Sequence, residues 1–565
     1  MTDLVHESPA YRLELSHDGL TATLSSPRGV DWAALRPLAA LDTVAGLDET
    51  YEVSPPRREG STFTIERRSS IWESASVSLH CGQDAVEIRF CAQGHGELTD
   101  VNLLGYRSLL PRGKSNGFMP SGSAFRTLFS PNPSDPRVLR PASESCVLGV
   151  SGDGEPGRGH WLFTPAPLYL ALSPEVVATP GAAPWLDLAV VAPVDELDFV
   201  QLVYESRDGG FSLRLEYEGK RRVAGFFEAP VLLLTPGARD PYTGLRRHRD
   251  DLANRGAAPA PKPRDQPAWW REPIFCGWGA QCRIAESGNG IAADHATQAN
   301  YDQFLDLLEQ EGVVPGVVVL DDKWQADYGT NAPDTDKWPD LKGWIGARHE
   351  RGQKVLLWWK AWDAQGLGSE VCVRNPAGEP VGLDPSNPAA REVLRESVQA
   401  MLSPEGLDAD GLKVDFTART PTGRALTHYG ESWGIALLHQ LLATVYTAAK
   451  EAKPDALVMT HTPHPAFVDV TDMIRLNDMV AGASSVVPQM RHRAAVARAA
   501  CPELLIDTDD WRIPSLLEWR EYLEAKLELG IPSLYYADGI DATGEPFEPE
   551  DYAALRRTWA EWRAS

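Results

Sequence analysis

The first 240 residues alternate between apolar and polar positions in short runs. Seven of these runs are YRLELS (11–16), TATLSS (21–26), TFTIERR (62–68), SVSLHCG (76–82), AVEIRFC (85–91), FVQLVYES (199–206) and FSLRLEYE (211–218). Clusters of Gly, Pro, Asn and Asp separate them. A period of two places successive side chains on opposite faces of a strand, and frequent turns favour antiparallel neighbours. The pattern therefore predicts an N-terminal β-sandwich.

A different pattern begins near residue 270, where short apolar runs alternate with longer segments of helical periodicity. The eight apolar runs are IFCGWG (274–279), GVVVLDD (316–322), KVLLWW (354–359), GLKVDF (411–416), ALVMTH (456–461), DMIRLND (472–478), ELLIDTDD (503–510) and PSLYYAD (532–538). Segments such as NYDQFLDLLEQEG and SLLEWREYLEAKLELG, which lie between them, predict helices. Eight strands alternating with helices over about 300 residues fit a (β/α)8 TIM barrel. A doubly wound open sheet is the main alternative, but there is no glycine-rich phosphate loop to favour it.

This change of pattern divides the chain into three predicted parts. We expect an all-β N-terminal domain over residues 1–240, a helix and Pro/Ala linker over 241–268, and a catalytic barrel over 269–565. The linker is predicted from the segment AAPAPKPRDQPAW. A chain of 565 residues is too long for one core, which agrees with several domains. The predicted fold class is therefore α/β with an all-β N-terminal domain.

The net charge and the cysteine positions limit which binding partners and which cellular location we expect. The net charge is −25, from 54 basic and 79 acidic side chains, and such a field repels nucleic acid and anionic membranes. No apolar stretch reaches the roughly 18–20 residues of a membrane span, and the first residues lack the features of a signal peptide. The seven cysteines are scattered without CxxC spacing, which disfavours a disulfide framework and a zinc site. We therefore expect a cytoplasmic protein with no metal, nucleic-acid or membrane partner.

Polar and aromatic residues concentrate where the eight predicted strands end. In chain order they are Trp278; Asp321 and Asp322; Trp358, Trp359 and Lys360; Lys413 and Asp415; His461 and His464; Arg475 and Asp478; Asp507, Asp509 and Asp510; and Asp538. The C-terminal ends of barrel strands form the active-site face, so we expect these side chains to meet. Glycosidases need two carboxyl groups at the bond they cleave, and further carboxylates or cations bind sugar oxygens. The pattern therefore indicates carbohydrate chemistry.

The fourth predicted strand, GLKVDF, ends with a pair of opposite charges. Lys413 and Asp415 are two residues apart, so they point to the same face of the strand. A surface ion pair is one interpretation, since most exposed pairs are solvated. The other is a catalytic carboxylate beside a cation that keeps it ionised.

Six segments resemble motifs of the retaining α-glycosidases of glycoside hydrolase clan D, which joins families 27, 31 and 36. They are CGWG (276–279), VLDDKW (319–324), GLDPSNPAAREVL (382–394), GLKVDF (411–416), IRLNDM (474–479) and IDTDDW (506–511). They follow the order in which the clan carries them. With its predicted N-terminal β-sandwich, the chain is most similar to the α-galactosidases of family 36.

The resemblance implies a catalytic pair and a set of substrate-binding residues. Asp415 matches the nucleophile, and Asp478 matches the acid/base. Asp321 and Asp322 match the paired aspartates that hold the 4- and 6-hydroxyls of galactose. Further substrate contacts are expected from Trp278, Trp358, Lys360, Lys413, His461, Arg475 and Asp510. The chemistry requires no cofactor.

Departures from the clan patterns leave the acid/base and the sugar open. Arg475 precedes Asp478 by three residues, where family 27 has four. Asp507 or Asp510, at the end of the seventh strand, is therefore an alternative acid. The SDNTD motif of family 36 is absent, and FTART follows the nucleophile in place of the Asn/Cys pattern of well-known α-galactosidases.

The predicted function is hydrolysis of terminal α-linked sugars, with α-galactosides as the expected substrates. The reaction would be a double displacement through two aspartates, and the partner would be a small oligosaccharide or glycoside. A glycosyl-transferring enzyme of the same fold, similar to raffinose synthases, is one alternative. A catalytically inactive carbohydrate-binding barrel is another. Glucose, xylose and N-acetylated sugars stay open as substrates, as does the oligomeric state.

Overall fold

The N-terminal part of the chain is a β-domain. The structure, a computed structural model, describes residues 4–108, 117–122, 125–131, 144–150, 163–174, 185–262, 264–288, 290–479 and 485–565. Within these residues the strands of the β-domain are β1 Val5–Glu7, β2 Arg12–Leu15, β3 Ala22–Ser25, β4 Asp31–Leu35, β5 Ala39–Thr43, β6 Glu49–Val53, β7 Arg57–Glu59, β8 Thr62–Ser69, β9 Ser74–Cys81, β10 Val86–Leu103, β11 Gly105–Ser108, β12 Phe118–Gly122, β13 Thr127–Phe129, β14 Cys146–Gly149, β15 Tyr169–Ser173, β16 Trp185–Val191, β17 Gln201–Arg207, β18 Gly210–Glu228 and β19 Val231–Ala238. Nearly all of their pairings are antiparallel.

The alternating sequence runs lie on these strands, as predicted. Along β8 the apolar side chains of Phe63 and Ile65 are buried, while Thr62 and Thr64 between them are partly exposed. The long strands β10 and β18 pair with each other along most of their length and so tie the sheet together. Burying one face of each strand fixes the register, because a slip of one residue would turn every apolar side chain outward.

Eight parallel strands form the barrel within the described residues. They are β20 Ile274–Cys276, β21 Val317–Leu320, β22 Lys354–Lys360, β25 Gly411–Asp415, β26 Leu457–Thr460, β27 Met473–Arg475, β28 Leu505–Asp507 and β29 Ser533–Leu534. A short antiparallel hairpin, β23 Cys372–Arg374 and β24 Pro380–Leu383, follows β22. Each barrel strand pairs with its neighbour, and the backbone N–H of Ile531 closes the ring by donating to Ile506 O at 2.8 Å. The predicted (β/α)8 barrel is confirmed.

Helices connect the barrel strands and cover the ring. The α-helices of the described chain are α1 Pro241–Asn254, α2 Trp278–Glu286, α3 Gln298–Gln310, α4 Leu341–Glu350, α5 Pro388–Leu402, α6 Gly434–Ala452, α7 Val486–Ala500, α8 Leu516–Leu529 and α9 Pro549–Ala564. Helices cover the outer face of the strands, and side chains inside the barrel cover the inner face. The strands are therefore buried on both sides, and their sequences are short apolar runs. None of the helices in the described part is long and apolar enough to span a membrane.

The helix α1 joins the β-domain to the barrel. The side chain of Asp240 caps it by accepting a hydrogen bond from the Thr243 backbone N–H at 2.8 Å, and Pro241 occupies its first turn. Tyr242 of this helix lies 2.7 Å from Nδ1 of His492, which belongs to α7 of the barrel. The predicted linker helix thus packs on both parts of the molecule.

The β-domain also contacts the barrel close to the strand ends. Backbone N–H groups at the start of α6 donate to the β-domain, from Ile435 to Phe199 O at 3.0 Å and from Ala436 to Leu197 O at 2.9 Å. Gly434 is required there, because its φ is +55° and a Cβ atom would lie 2.1 Å from Phe199 O. On the same side Thr164 N–H donates to His461 O at 3.1 Å. The β-domain therefore borders the active-site face.

Candidate active site

Asp415 lies at the end of β25 and accepts hydrogen bonds on both carboxylate oxygens. Oδ1 accepts from Arg475 Nη2 and from the Phe416 backbone N–H, each at 2.9 Å. Oδ2 accepts from Trp358 Nε1 at 3.0 Å. Burial alone would raise the pKa of Asp415, but the charges of Arg475 and Lys413 and the Trp358 hydrogen bond hold it well below its usual range. Asp415 is therefore an ionised carboxylate at neutral pH.

Lys413 does not supply the direct cation on Asp415 that the sequence led us to expect. Its side chain points into the barrel, and its Nζ lies 2.6 Å from Asp321 Oδ2 and 3.4 Å from Cys276 Sγ. Burial disfavours its charge, but Asp321 keeps the pKa of Lys413 above its ordinary value. Lys413 therefore acts on Asp415 through space, and Arg475 is the cation in contact.

Arg475 is the central group of the site. Its side chain is 2% exposed, and the guanidinium donates to three carboxylates, which lie at the ends of β25, β27 and β28. Nη2 donates to Asp415, while Nη1 donates to Asp478 Oδ1 at 2.9 Å and to Asp509 Oδ2 at 2.7 Å. The two aspartates predicted to be catalytic therefore bind the same guanidinium.

Asp478 differs from Asp415 in its protonation. Burial is the largest cause of a pKa of about 7 for Asp478; Arg475 opposes this shift, and Asp509 and Asp415 add to it. Its side chain is still 28% exposed, whereas that of Asp509 is 0% exposed. One ionised and one protonated carboxyl group beside each other are what a general acid and a nucleophile need.

Asp321 and Asp322 both leave strand geometry, because β21 ends at Leu320. Asp321 is buried, and its oxygens accept from Lys413, from Cys276 Sγ at 2.9 Å and from the Asp322 backbone N–H at 2.9 Å. Asp322 is half-buried, and its Oδ1 accepts from Tyr328 OH at 2.7 Å. Burial raises the pKa of Asp322 to about 6. Asp322 is thus the more accessible of the two carboxylates.

Trp358 and Lys360, which point to the same face of β22, form the wall beside Asp322. The Trp358 ring is buried, with Tyr328 and Phe416 at centroid distances of 5.9 and 5.8 Å. Lys360 Nζ lies 2.8 Å from Asp363 and 4.1 Å from the centre of the Tyr328 ring. Trp358 therefore orients Asp415 by its N–H, and Lys360 brings a cation to the same wall.

His461 lies on the side of Asp415 opposite to the wall formed by Trp358 and Lys360. Its Nε2 is 2.6 Å from Thr417 Oγ1, and its Nδ1 is 3.9 Å from Asp415 Oδ1. Burial, followed by the charge of Arg475, lowers the pKa of His461 to about 4, so the ring is neutral at pH 7. By contrast His464 points away into a local turn, where Nδ1 accepts from the Ala466 N–H at 3.1 Å.

Trp278 and Trp511 form an aromatic pair near Asp478. Trp278 is the first residue of α2, and its ring centre lies 5.7 Å from that of Trp511. The carbonyl of Trp511 accepts from the Met479 backbone N–H at 2.9 Å, which ties this pair to the Asp478 segment. Both rings are partly exposed.

The side chain of Asp510 lies inside the barrel wall, whereas the sequence predicted that it would contact substrate. Its carboxylate accepts from Lys526 Nζ at 2.7 Å, from Trp519 Nε1 at 3.3 Å and from the Tyr535 N–H at 3.2 Å. Asp507 is equally buried and bonds to Ser533 and to the Asp509 N–H. Both carboxylates are therefore enclosed in the barrel wall, whereas that of Asp478 is partly exposed.

Three residues that shape the site were not assigned a role there from the sequence. Asp509 appeared only as one of several aspartates, and its bond to Arg475 depends on a left-handed backbone with φ +54°. Tyr328 lies in an irregular loop without a recognisable pattern, and Thr417 is one of two threonines after the nucleophile. The left-handed turn at Phe416, with φ +59°, brings Thr417 toward His461. The sequence carries no clear signal for such turns.

Solved structures with a similar fold include three enzymes that act on glycosides. A sulfoquinovosidase of family 31 from E. rectale matches with a TM-score of 0.57 at 11% identity, over 98% of this chain and 81% of that one. The α-galactosidase TtGalA from Thermus thermophilus matches with a TM-score of 0.54 at 16% identity, over 89% and 94%. The cycloalternan-forming enzyme from Listeria monocytogenes matches with a TM-score of 0.55 at 11% identity, over 95% and 56%.

These likenesses show a shared fold. The chain spans little more than half the length of the two Listeria monocytogenes proteins it matches, 57% and 56%. No family model matches the sequence, and no curated protein does. The resemblance to clan D is confirmed at the level of the fold, although the family named among these structures is 31, where the sequence indicated family 36.

Proposed function

We propose that the protein is a retaining α-glycosidase that acts on small α-linked glycosides, with α-galactosides as the first substrates to test. The observation that carries the proposal is the Arg475 guanidinium, which bonds both Asp415 and Asp478. The pKa of Asp415 is held low and that of Asp478 is raised to about 7. This division suits a nucleophile and an acid that work in one reaction.

In the first step Asp415 attacks the anomeric carbon of the substrate. Oδ2 is the attacking oxygen, because among the described residues it accepts one hydrogen bond, from Trp358, whereas Oδ1 accepts two. As the new C–O ester bond forms, the bond from the anomeric carbon to the leaving oxygen breaks. Asp478 gives its proton to that oxygen, so the alcohol leaves neutral.

In the second step water replaces the alcohol. Asp478, now a carboxylate, takes a proton from the water while the water oxygen attacks the anomeric carbon. The ester bond to Asp415 breaks, and both carboxyl groups return to their first state. Two inversions give net retention of the α-configuration. Arg475 is hydrogen-bonded to both carboxyl groups in each step. Its positive charge therefore balances the negative charge when that charge passes from Asp415 to Asp478 and back.

Substrate binding is assigned to the groups around Asp415. We assign hydrogen-bond acceptance from sugar hydroxyls to Asp322 and donation to sugar oxygens to Lys360. Asp321 and Lys413 form a buried pair whose assigned role is to support the floor of the site. Trp278 is assigned to the leaving-group side, because its partner Trp511 contacts the segment of Asp478.

A panel of p-nitrophenyl α-glycosides tests this proposal. The galactoside, glucoside, xyloside, N-acetylgalactosaminide and sulfoquinovoside are each incubated with the protein, and nitrophenolate release is followed. NMR of the first-formed sugar then gives its anomeric configuration. We expect turnover of at least one member with an α-anomer as the first product. A β-anomer, or no turnover of any member, would refute the proposal.

Transfer to a sugar acceptor is the second candidate function, favoured by the likeness to a cycloalternan-forming enzyme. In that case a sugar hydroxyl takes the place of water in the second step. Product analysis with and without added galactose or sucrose separates the two. Hydrolysis predicts free sugar in both mixtures, and transfer predicts a new oligosaccharide when acceptor is present. The inactive-barrel alternative is disfavoured by the intact pair of Asp415 and Asp478.

A further inference from the structure

The buried ring of His461 has one nitrogen that lacks a hydrogen bond. The residue is 1% exposed, and Nε2 is taken by the Thr417 hydroxyl. Within the described part of the chain, Nδ1 has no hydrogen-bond partner. It faces Asp415 Oδ1 at 3.9 Å, too far for a direct hydrogen bond. A buried polar atom normally has a partner, so one that arrives with the substrate is expected here.

The position of the proton on His461 follows from its neighbours. The ring is neutral, so only one nitrogen carries a hydrogen. If Nε2 carried it, the lone pair of Nδ1 would face the negative carboxylate of Asp415. With the hydrogen on Nδ1, the N–H dipole points at that carboxylate, and Thr417 donates its hydroxyl hydrogen to Nε2. Electrostatics therefore favours Nδ1–H, a hydrogen-bond donor aimed into the site.

A residue of the β-domain holds this arrangement in place. The Thr164 hydroxyl contacts the Thr417 hydroxyl, and the Thr164 backbone N–H donates to the carbonyl of His461 at 3.1 Å. Since Thr417 has given its hydrogen to His461, it accepts the hydrogen of Thr164. Thr164 is thus a positioning residue that fixes both the backbone and the tautomer of His461.

We infer that Nδ1–H of His461 donates to the 2-hydroxyl of the substrate sugar, so that the site recognises sugars carrying a free hydroxyl next to the anomeric carbon. The inference rests on the proposed function, because it takes Asp415 as the group that binds the anomeric carbon. That carbon has two ring neighbours, the ring oxygen and carbon 2. Positive charge develops toward the ring oxygen in the transition state, which disfavours an N–H donor there. The hydroxyl on carbon 2 accepts the donor without this conflict.

Two variants of His461 distinguish the roles of its two ring nitrogens. In His461→Asn the amide nitrogen stands near the position of Nδ1, so a donor is kept. In His461→Gln the amide reaches the position of Nε2, so the contact with Thr417 is kept and the donor is lost. His464→Asn, three residues along, is the control, because that ring contacts Phe467 and accepts from the Ala466 N–H in a local turn. Each protein is assayed with p-nitrophenyl α-galactoside, or the most active member of the panel, and with its 2-deoxy analogue.

The inference is tested by dividing kcat/KM of each variant by kcat/KM of the native protein, separately for each substrate. This ratio removes the difference in intrinsic reactivity between the two substrates. We expect His461→Gln to lose roughly 10- to 100-fold on the 2-hydroxy substrate and little on the 2-deoxy analogue. His461→Asn and His464→Asn should keep the native ratio between substrates. Equal losses of His461→Gln on both substrates would overturn the inference while leaving the glycosidase proposal intact. Failure of the native protein on every glycoside would instead refute the proposed function.

Discussion

Two acidic segments end neighbouring barrel strands, and the structure uses them in opposite ways. RLND (475–478) begins with the last residue of β27, and DTDD (507–510) begins with the last residue of β28. In the second segment all three carboxylates are buried, at 0–1% exposure, and each is hydrogen-bonded inside the protein. In the first, the single carboxylate of Asp478 is partly exposed and binds Arg475. The segment with three aspartates is thus enclosed in the protein, and the segment with one carries the proposed acid.

The two segments show that the number of aspartates at a strand end does not indicate which carboxyl group stays accessible. Asp509 is unavailable for proton transfer to substrate because Arg475 and the backbone N–H groups of Asp510 and Trp511 use its oxygens. Its negative charge nevertheless helps to raise the pKa of Asp478. A buried carboxylate can therefore shift the pKa of a neighbouring, partly exposed one.

The largest effect is expected at Asp415, the proposed nucleophile. Asp415→Ala removes the group that forms the ester, so turnover should fall by on the order of 10⁴-fold. Azide fits the space left by the carboxylate and should restore part of the rate, giving a β-glycosyl azide. Turnover is measured with the p-nitrophenyl glycoside, and the azide product by NMR. Near-native turnover without azide would exclude Asp415 as the nucleophile.

Asp478→Ala tests the assignment of the acid to the first segment. Without a proton donor, substrates with a sugar leaving group should slow by about 10²- to 10⁴-fold. Activated aryl glycosides should slow far less, because their leaving groups depart without protonation. The comparison uses kcat/KM for a disaccharide and a dinitrophenyl glycoside. A uniform loss on both would place the acid elsewhere.

Asp510→Asn tests the structural role of the second segment. The substitution leaves Lys526 buried without its carboxylate, and removing one member of such a pair costs about 3–5 kcal/mol of unfolding free energy. Urea denaturation measures this loss. The folded variant should keep the native sensitivity to leaving group. A stable variant with altered leaving-group sensitivity would instead make Asp510 the acid.

Asp509→Asn should have a smaller effect, which is a shift of the pH profile. The acid must be protonated to act, so the native rate should fall as pH rises through the pKa of Asp478, about 7. Removing the negative charge of Asp509 lowers that pKa, so the fall should move to lower pH. The kcat/KM profile of an alkyl or sugar glycoside measures it, with Asp510→Asn as the control. An unmoved alkaline limb would contradict the electrostatic role of Asp509.

Much of the fold and part of the site could be predicted from the sequence. The alternation of apolar and polar residues and the alternation of strands with helices each extend over many residues, so they predict the β-domain and the barrel. A barrel places the ends of its strands on one face, which is why Asp415, Arg475 and Asp478 could be expected to lie together. The ion-pair partners could not be read in the same way. Lys413 pairs with Asp321, 92 positions away, and Arg475 reaches Asp509 through a left-handed turn. Such pairings depend on side-chain direction at strand ends, where the strand period no longer applies.

The central claim is that Asp415 forms a covalent bond to the sugar while Asp478 carries the proton. Trapping the intermediate tests it most directly: native protein is incubated with 5-fluoro-α-galactosyl fluoride, or the analogue of the preferred sugar, then digested and analysed by tandem mass spectrometry. The electron-withdrawing fluorine slows both steps, and the fluoride leaves without protonation, so the glycosyl ester accumulates. We expect one added glycosyl group, attached to Asp415, that disappears when excess acceptor is supplied. A label on Asp478 or on an aspartate of the 507–510 segment would contradict it.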